Sequence, residues 1–170
     1  MTRDKDSRKV SRSAWLIAFG ILFLDQFVKG LIKAYLPEWG RETVIQGFFD
    51  IDHVLNRGAA FGIFNSRGSA WQPVFFIAVT CLAVIVIYFL LRQAEQKRPL
   101  YIFALSSILG GALGNLTDRI RQGVVIDYLD FYLGRYHWPA FNIADMAITI
   151  GAFCLLVDFY KRESNASDPR

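Results

Sequence analysis

The chain has 170 residues, of which 54% are hydrophobic, with a mean hydropathy of +0.30, a formal charge of +4 and a pI near 9.2. That length suits one domain of ordinary size, and the modest basic excess calls for no nucleic-acid partner once its residues are placed beside anionic lipid. The only two cysteines, Cys81 and Cys154, sit inside apolar runs without ligand spacing, which excludes a disulfide framework or a cysteine metal site and leaves them as small packing residues.

Hydrophobic residues cluster rather than spread. After a polar leader, residues 1–13, which is expected to be loose, the first apolar stretch runs from Trp15 to Leu36. It is close to the ~20 residues that cross a ~30 Å hydrocarbon core. Asp25 and Lys29 lie within it and no small-x-small cleavage site follows, so it reads as a retained helix rather than a signal peptide. Their i, i+4 spacing puts the two on one face. They either project into a polar interior near a site or form a bundle-facing ion pair that fixes helix packing.

Residues 41–64 do not read as a span. Thr43 to Leu55 is rich in β-branched and aromatic residues broken by turn residues, and Phe49/Ile51 alternates with Asp50/Asp52, which predicts short strands in a small sheet on the membrane surface. In Asn56-Arg57-Gly58-Ala59-Ala60-Phe61-Gly62, glycines and small residues permit close approach of backbone to a ligand, or simply make a turn. Arg67-Gly68-Ser69 reads as a turn before the second span, Pro73 to Leu91, which carries no charge. Arg92 to Pro99 is a short connection.

The third span, Leu100 to Ile120, holds Ser106, Ser107, Gly110, Gly111, Ala112 and Gly114, residues that let helices approach closely in lipid. Asn115, Asp118 and Arg119 fall on one face of its end. Gly123 to Tyr132 reads as extended structure, with alternation placing Asp127 on an apolar face beside Val125, Leu129 and Phe131, and Asp130 on the opposite, solvated one. Tyr132, Tyr136 and Trp138 suit an interfacial aromatic belt. Pro139 precedes the fourth span, Ala140 to Tyr160, with Asn142 and Asp145 in its first turns. A helix N-terminus favours the ionised form of Asp145, which is also what an ordinary helix-entry acid would show.

Basic residues set the topology. Arg3, Lys5, Arg8, Lys9, Arg12, Arg92, Lys97, Arg98, Lys161, Arg162 and Arg170 fall on one side, against Arg41, Arg57, Arg67, Arg119, Arg121 and Arg135 on the other. The positive-inside rule puts both termini in the cytoplasm and residues 37–72 and 121–139 outside. The whole chain, 1–170, then reads as a single integral membrane domain with helices at about 15–36, 73–91, 100–120 and 140–160.

An ionisable residue near hydrocarbon is costly and usually functional. Asp127 and Asp145 both sit beside helix ends at one membrane face. Two carboxylates sharing a pocket hold one proton between them near neutral pH, so one serves as acid and the other as base. With Asn115, Asp118, Arg119 and Asn142 nearby, the set suggests a hydrolytic site that needs no metal.

Five ordered blocks carry a resemblance. They are Asp25-Gln26-Phe27-Val28-Lys29, Asn56 to Gly62, Gly111-Ala112-Leu113-Gly114-Asn115-Leu116-Thr117-Asp118-Arg119, Val125-Ile126-Asp127-Tyr128 and Phe141-Asn142-Ile143-Ala144-Asp145. On a four-span topology these resemble the bacterial lipoprotein signal peptidases (signal peptidase II) from about Trp15 to Tyr160. The resemblance implies a four-transmembrane-helix bundle with a small extracytoplasmic β-cradle at about 41–64. It implies an intramembrane aspartyl peptidase of the cytoplasmic (inner) membrane with Asp127 and Asp145 as its dyad and no cofactor. It implies Asn56, Gly58, Asn115, Arg119 and Asn142 as substrate-binding or supporting residues, and Asp25, Lys29 and Asp118 as structural polar ones, with Asp118 holding the neighbourhood of Arg119. The implied substrate is a prolipoprotein cut before a diacylglyceryl-modified cysteine, met in membrane lipid, with globomycin-type cyclic peptides as inhibitors. Two other classes compete. A metal-dependent phospholipid enzyme would use the carboxylates to hold Mg²⁺, though that ion usually wants more oxygen ligands than converge here. A proton- or ion-coupled small transporter would line a path with Asp25, Lys29, Asp127 and Asp145, but the chain lacks repeat symmetry.

Overall fold

A computed structural model describes residues 10–58, 71–95 and 98–167. The expectations placed on residues 1–9, Ala59 to Gly62, Arg67-Gly68-Ser69, Lys97 and Arg170 lie outside the described residues. The elements in chain order are α1 (Arg12–Tyr35), β1 (Arg41–Ile45), β2 (Phe49–Asn56), α2 (Trp71–Gln93), α3 (Pro99–Gln122), β3 (Val125–Leu133), β4 (Tyr136–His137) and α4 (Ile143–Ser167). All four helices are long and apolar enough to cross a membrane.

The most apolar helix is not the most buried. α2 carries no charge from Pro73 to Leu91 yet buries only Gln72, Ile87 and Leu91, whereas α3, with its serines and glycines, is the buried centre of the bundle. The inversion follows from the solvent: hydrocarbon tolerates exposed Leu and Phe but not polar groups, so polar and small residues turn inward. Packing on α3 depends on its glycines. A Cβ on Gly110 would lie 2.6 Å from the Ala18 carbonyl oxygen of α1, and one on Gly111 would overlap the Ala144 carbonyl of α4. At the other end of the bundle Arg98 pairs with Asp158, tying the start of α3 to the last turns of α4.

α3 stops at Gly123, whose φ of 74° lets its N–H close on the Arg119 carbonyl and turns the chain directly into β3. The sheet is antiparallel, ordered β1-β2-β3-β4. It is wider than the sequence predicts: residues 41–56 supply only β1 and β2, and the segment after α3 supplies β3 and β4. Between the pairs Ile51–Leu129 and Val54–Asp127, two residues of β2 (Asp52, His53) oppose one of β3 (Tyr128), which is a β-bulge.

The expectation of a solvated face for Asp130 is corrected. Asp130 is 3% exposed, as Asp127 is. Its side of the sheet is covered by Arg41, which bonds Asp52 (Nη2–Oδ2 2.7 Å) and Asp130 (Nη2–Oδ2 3.0 Å), and by His137, 2.8 Å from Asp130. The carboxylates of Asp50, Asp52 and Asp130 come within 4.8 Å of one another, and the guanidinium of Arg41 supplies the positive charge between them.

Candidate active site

α4 enters the bundle beside the sheet, and its first N–H groups have no intrahelical partner. Side chains from β3, from α1 and from the residue just before α4 take them up. Ile143 N donates to Tyr128 Oη (3.3 Å), Ala144 N to Asp25 Oδ1 (3.0 Å) and Asp145 N to Asn142 Oδ1 (2.9 Å). Asn142 N donates back to Asp145 Oδ2 (3.3 Å), so Asn142 and Asp145 form a reciprocal capping box. Asp145 is thus the third residue of α4, held by the helix it opens. With all three amides occupied, the helix end offers no free donor to a substrate oxygen.

The two aspartates meet through amides. Asp127 Oδ1 accepts from Asn142 Nδ2 (2.7 Å) and Oδ2 from Asn56 Nδ2 (2.8 Å). Asp145 Oδ1 accepts from Asn115 Nδ2 (2.8 Å). Asn142 therefore touches both carboxylates, one by its side chain and the other by its backbone. Both aspartates line one groove of about 370 Å³, walled mainly by apolar atoms of Trp138, Phe141, Met146 and Ile150. Burial, followed by repulsion from Asp145, pushes the Asp127 carboxyl up to about 7, against the hydrogen bonds of Asn56 and Asn142 and the charge of Lys29, which pull it down. The groove thus joins an aspartic acid that titrates near neutrality to a second carboxyl group tied to a helix N-terminus.

The bulge in β2 is what brings Asn56 to Asp127. Val54 pairs with Asp127 and Asn56 with Val125, so Asn56 is a diagonal neighbour on the Asp127 side of the sheet. Without the extra residue, the register would turn Asn56 to the other face. Asn56 Oδ1 accepts from Gly58 N (2.8 Å), which orients its amide, and Arg119 Nη2 donates to Gly58 O (3.1 Å) while its guanidinium lies 5.2 Å over the Phe76 ring. Asp25, Lys29, Asn56, Gly58, Asn115, Asp118, Arg119, Asp127, Asn142 and Asp145 all lie in or beside this cluster.

Asp118 is buried and accepts from Lys29 Nζ (2.8 Å), Gln26 Nε2 (3.0 Å) and Ile126 N (3.3 Å). Lys29 also bonds Asp25 Oδ2 (2.9 Å) and Asn115 Oδ1 (3.1 Å). Sequence reading gave Gln26, Tyr128 and Phe76 no role. A polar Gln26 between Asp25 and Phe27 in a span was a usable signal; Tyr128 and Phe76 carried none, because their contacts depend on tertiary placement.

The Signal peptidase (SPase) II family profile matches residues 17–161. A "Lipoprotein signal peptidase" of Maridesulfovibrio salexigens is 48% identical over 150 residues, covering 88% of this chain and 96% of that protein. Another, from Nitratidesulfovibrio vulgaris, is 47% identical, covering 87% and 89%. A bacterial membrane enzyme solved by the in meso method at 2.3 Å superposes with a TM-score of 0.82 at 30% identity, covering 93% of each chain. With its capped α4, buried polar cluster and four spans, the chain belongs to the signal peptidase II family.

Proposed function

We propose that Asp127 and Asp145 are the catalytic dyad of a metal-free aspartyl peptidase. The chain is a membrane peptidase of a family that removes signal peptides from prolipoproteins. The observation that carries the dyad is that Asn142 holds both carboxyl groups at one groove, one by its side chain and the other by its backbone. Asp145, ionised, takes a proton from the attacking water. Asp127 gives its proton to the scissile carbonyl oxygen as the tetrahedral carbon forms. Asp145 then returns a proton to the leaving amine, and collapse of the intermediate restores the proton on Asp127. Since the α4 amides are occupied, the proton of Asp127 supplies the polarisation that an oxyanion hole gives elsewhere.

The sheet end of the bundle faces outward and both termini face the cytoplasm, on the charge distribution of the connections, in a bacterial inner membrane. The chain from end to end acts as one integral domain. A diacylglyceryl-cysteine just after the cut bond fits a groove with apolar walls beside membrane lipid, since its acyl chains stay in the bilayer. Globomycin-type peptides compete for the same groove. Asn56, Gly58, Arg119 and Asn115 orient substrate and carboxylates.

The test is cleavage of a diacylglyceryl-modified prolipoprotein by the purified chain in detergent with EDTA, with Asp127→Asn and Asp145→Asn alongside. Cleavage by the wild type, lost in both folded variants, is expected. Activity in either variant, or dependence on a divalent cation, overturns the dyad.

A further inference from the structure

The buried ion cluster beside the dyad makes one bond that helix packing does not require. Lys29 is 2% exposed, and its ammonium donates to Asp25 Oδ2, Asp118 Oδ2 and Asn115 Oδ1, which uses all three of its N–H groups. The two aspartates would suffice to neutralise it and join α1 to α3. The third bond goes to a neutral amide whose far end holds Asp145.

We propose that Lys29 is a positioning residue for the dyad: by occupying Asn115 Oδ1 it fixes the Asn115 amide so that only its N–H₂ can face Asp145. An asparagine amide has an acceptor end and a donor end, and a flip exchanges them. Here a flip would set the N–H₂ group against the Lys29 ammonium and against Asn142 Nδ2, which also donates to Asn115 Oδ1 at 3.3 Å. It would also turn an oxygen toward the Asp145 carboxylate. Both changes replace attraction by repulsion in a low-dielectric site. Lys29 reaches α4 by a second route as well. Asp25, its i, i+4 partner, caps Ala144 N, the amide just before Asp145. Among the described residues, the charged and titratable groups around the dyad are Asp25 and Lys29 from α1, Asp118 and Arg119 from α3, Tyr128 beside Asp127 on β3, and Asp145 itself on α4.

The inference rests on the dyad proposed above. The test uses the full chain in detergent with the diacylglyceryl prolipoprotein. K29M/D118N removes one charge of each sign, preserving the net charge of the Asp25–Lys29–Asp118 cluster while deleting the donor to Asn115. K29Q/D118N supplies a neutral amide donor on a side chain one atom shorter than lysine. K29M/D118N is expected to lose about 100-fold in kcat with KM changed less than about threefold. K29Q/D118N should recover at least about tenfold of that loss. In an Asn115→Ala background the K29M/D118N change should add less than about threefold, because two residues acting through one bond are not additive. Its alkaline pH limb should also move upward, since the Lys29 charge holds the Asp127 carboxyl down. Unchanged kcat in K29M/D118N, multiplying losses in the triple variant, or no recovery in K29Q/D118N overturns the proposal. Should K29M/D118N fail to fold, K29Q/D118N alone decides it: folded with kcat within about tenfold of wild type supports it, and folded with a loss of about 100-fold overturns it. Asp127→Asn and Asp145→Asn run in parallel. Activity there breaks the dyad itself, whereas their loss with an intact K29M/D118N breaks only the role of Lys29.

Discussion

Asp25 accepts the backbone N–H of Ala144 at 3.0 Å across 119 residues of sequence. One carboxylate thus caps α4 next to Asp145 while its other oxygen holds Lys29. Stability and site geometry share this contact.

Asp25→Leu should therefore cost both. It leaves a buried ammonium short of one partner and a helix amide without an acceptor. Removing one member of a buried pair costs about 3–5 kcal/mol. Denaturant unfolding in detergent measures it, and a loss below about 1 kcal/mol would show that the cap carries little.

Gly114 has no room for a side chain. A Cβ there would lie 2.6 Å from Asp25 Oδ2 and 3.1 Å from its Cγ. Gly114→Ala should displace Asp25, lower stability by about 1–3 kcal/mol and slow cleavage. Gly20→Ala, with nothing within 4 Å, is the matched control in the same membrane setting and should be neutral or better. Equal behaviour of the two would remove the close-packing argument.

The pH dependence follows from Asp127. Its folded value near 7 lies above its ordinary value of 3.8, so the folded protein holds a proton that the unfolded chain has released between those limits. Its contribution to stability is fully present below the unfolded value and is lost as pH rises through about 7, at up to about 1.4 kcal/mol per pH unit. Melting curves from pH 4 to 8 should show this decline in the wild type and a flatter profile in Asp127→Asn. Cleavage should fall on the alkaline side, where Asp127 has lost the proton it donates. Asn56→Ala should move that limb upward, because its hydrogen bond favours the ionised form. A downward shift would contradict the assignment.

Arg41 keeps three buried carboxylates together on the far face of the sheet, and the hydrogen bonds it donates to Asp52 hold its guanidinium above its ordinary pKa. Arg41→Met should loosen β1 and β2 at neutral pH through mutual repulsion of Asp50, Asp52 and Asp130. Hydrogen exchange across residues 41–56 should rise. Unchanged exchange at pH 7 would mean that strand pairing alone holds the hairpin.

Much of this was readable from the sequence. Runs of about twenty apolar residues leave few options in a bilayer. The small residues of α3 mark it as the helix others approach, and polar residues beside helix ends mark a costly and therefore purposeful cluster. Asp25 with Lys29 and Asn142 with Asp145 are i, i+4 and i, i+3 relations, which helical geometry fixes locally. What the tertiary structure decided is where distant pieces meet. A single bulge in β2 determines that Asn56 faces Asp127, and nothing in the alternation of residues 49–56 announces it. The burial of Asp130 depends on Arg41 lying across the sheet, a contact 89 residues apart. Asp118 turns to Lys29 instead of the contact made by Arg119 because adjacent helix positions point about 100° apart, and only packing says which neighbour each direction finds. Local periodicity is written in the chain, whereas register and helix-to-helix contact are settled by the packing of all the elements together.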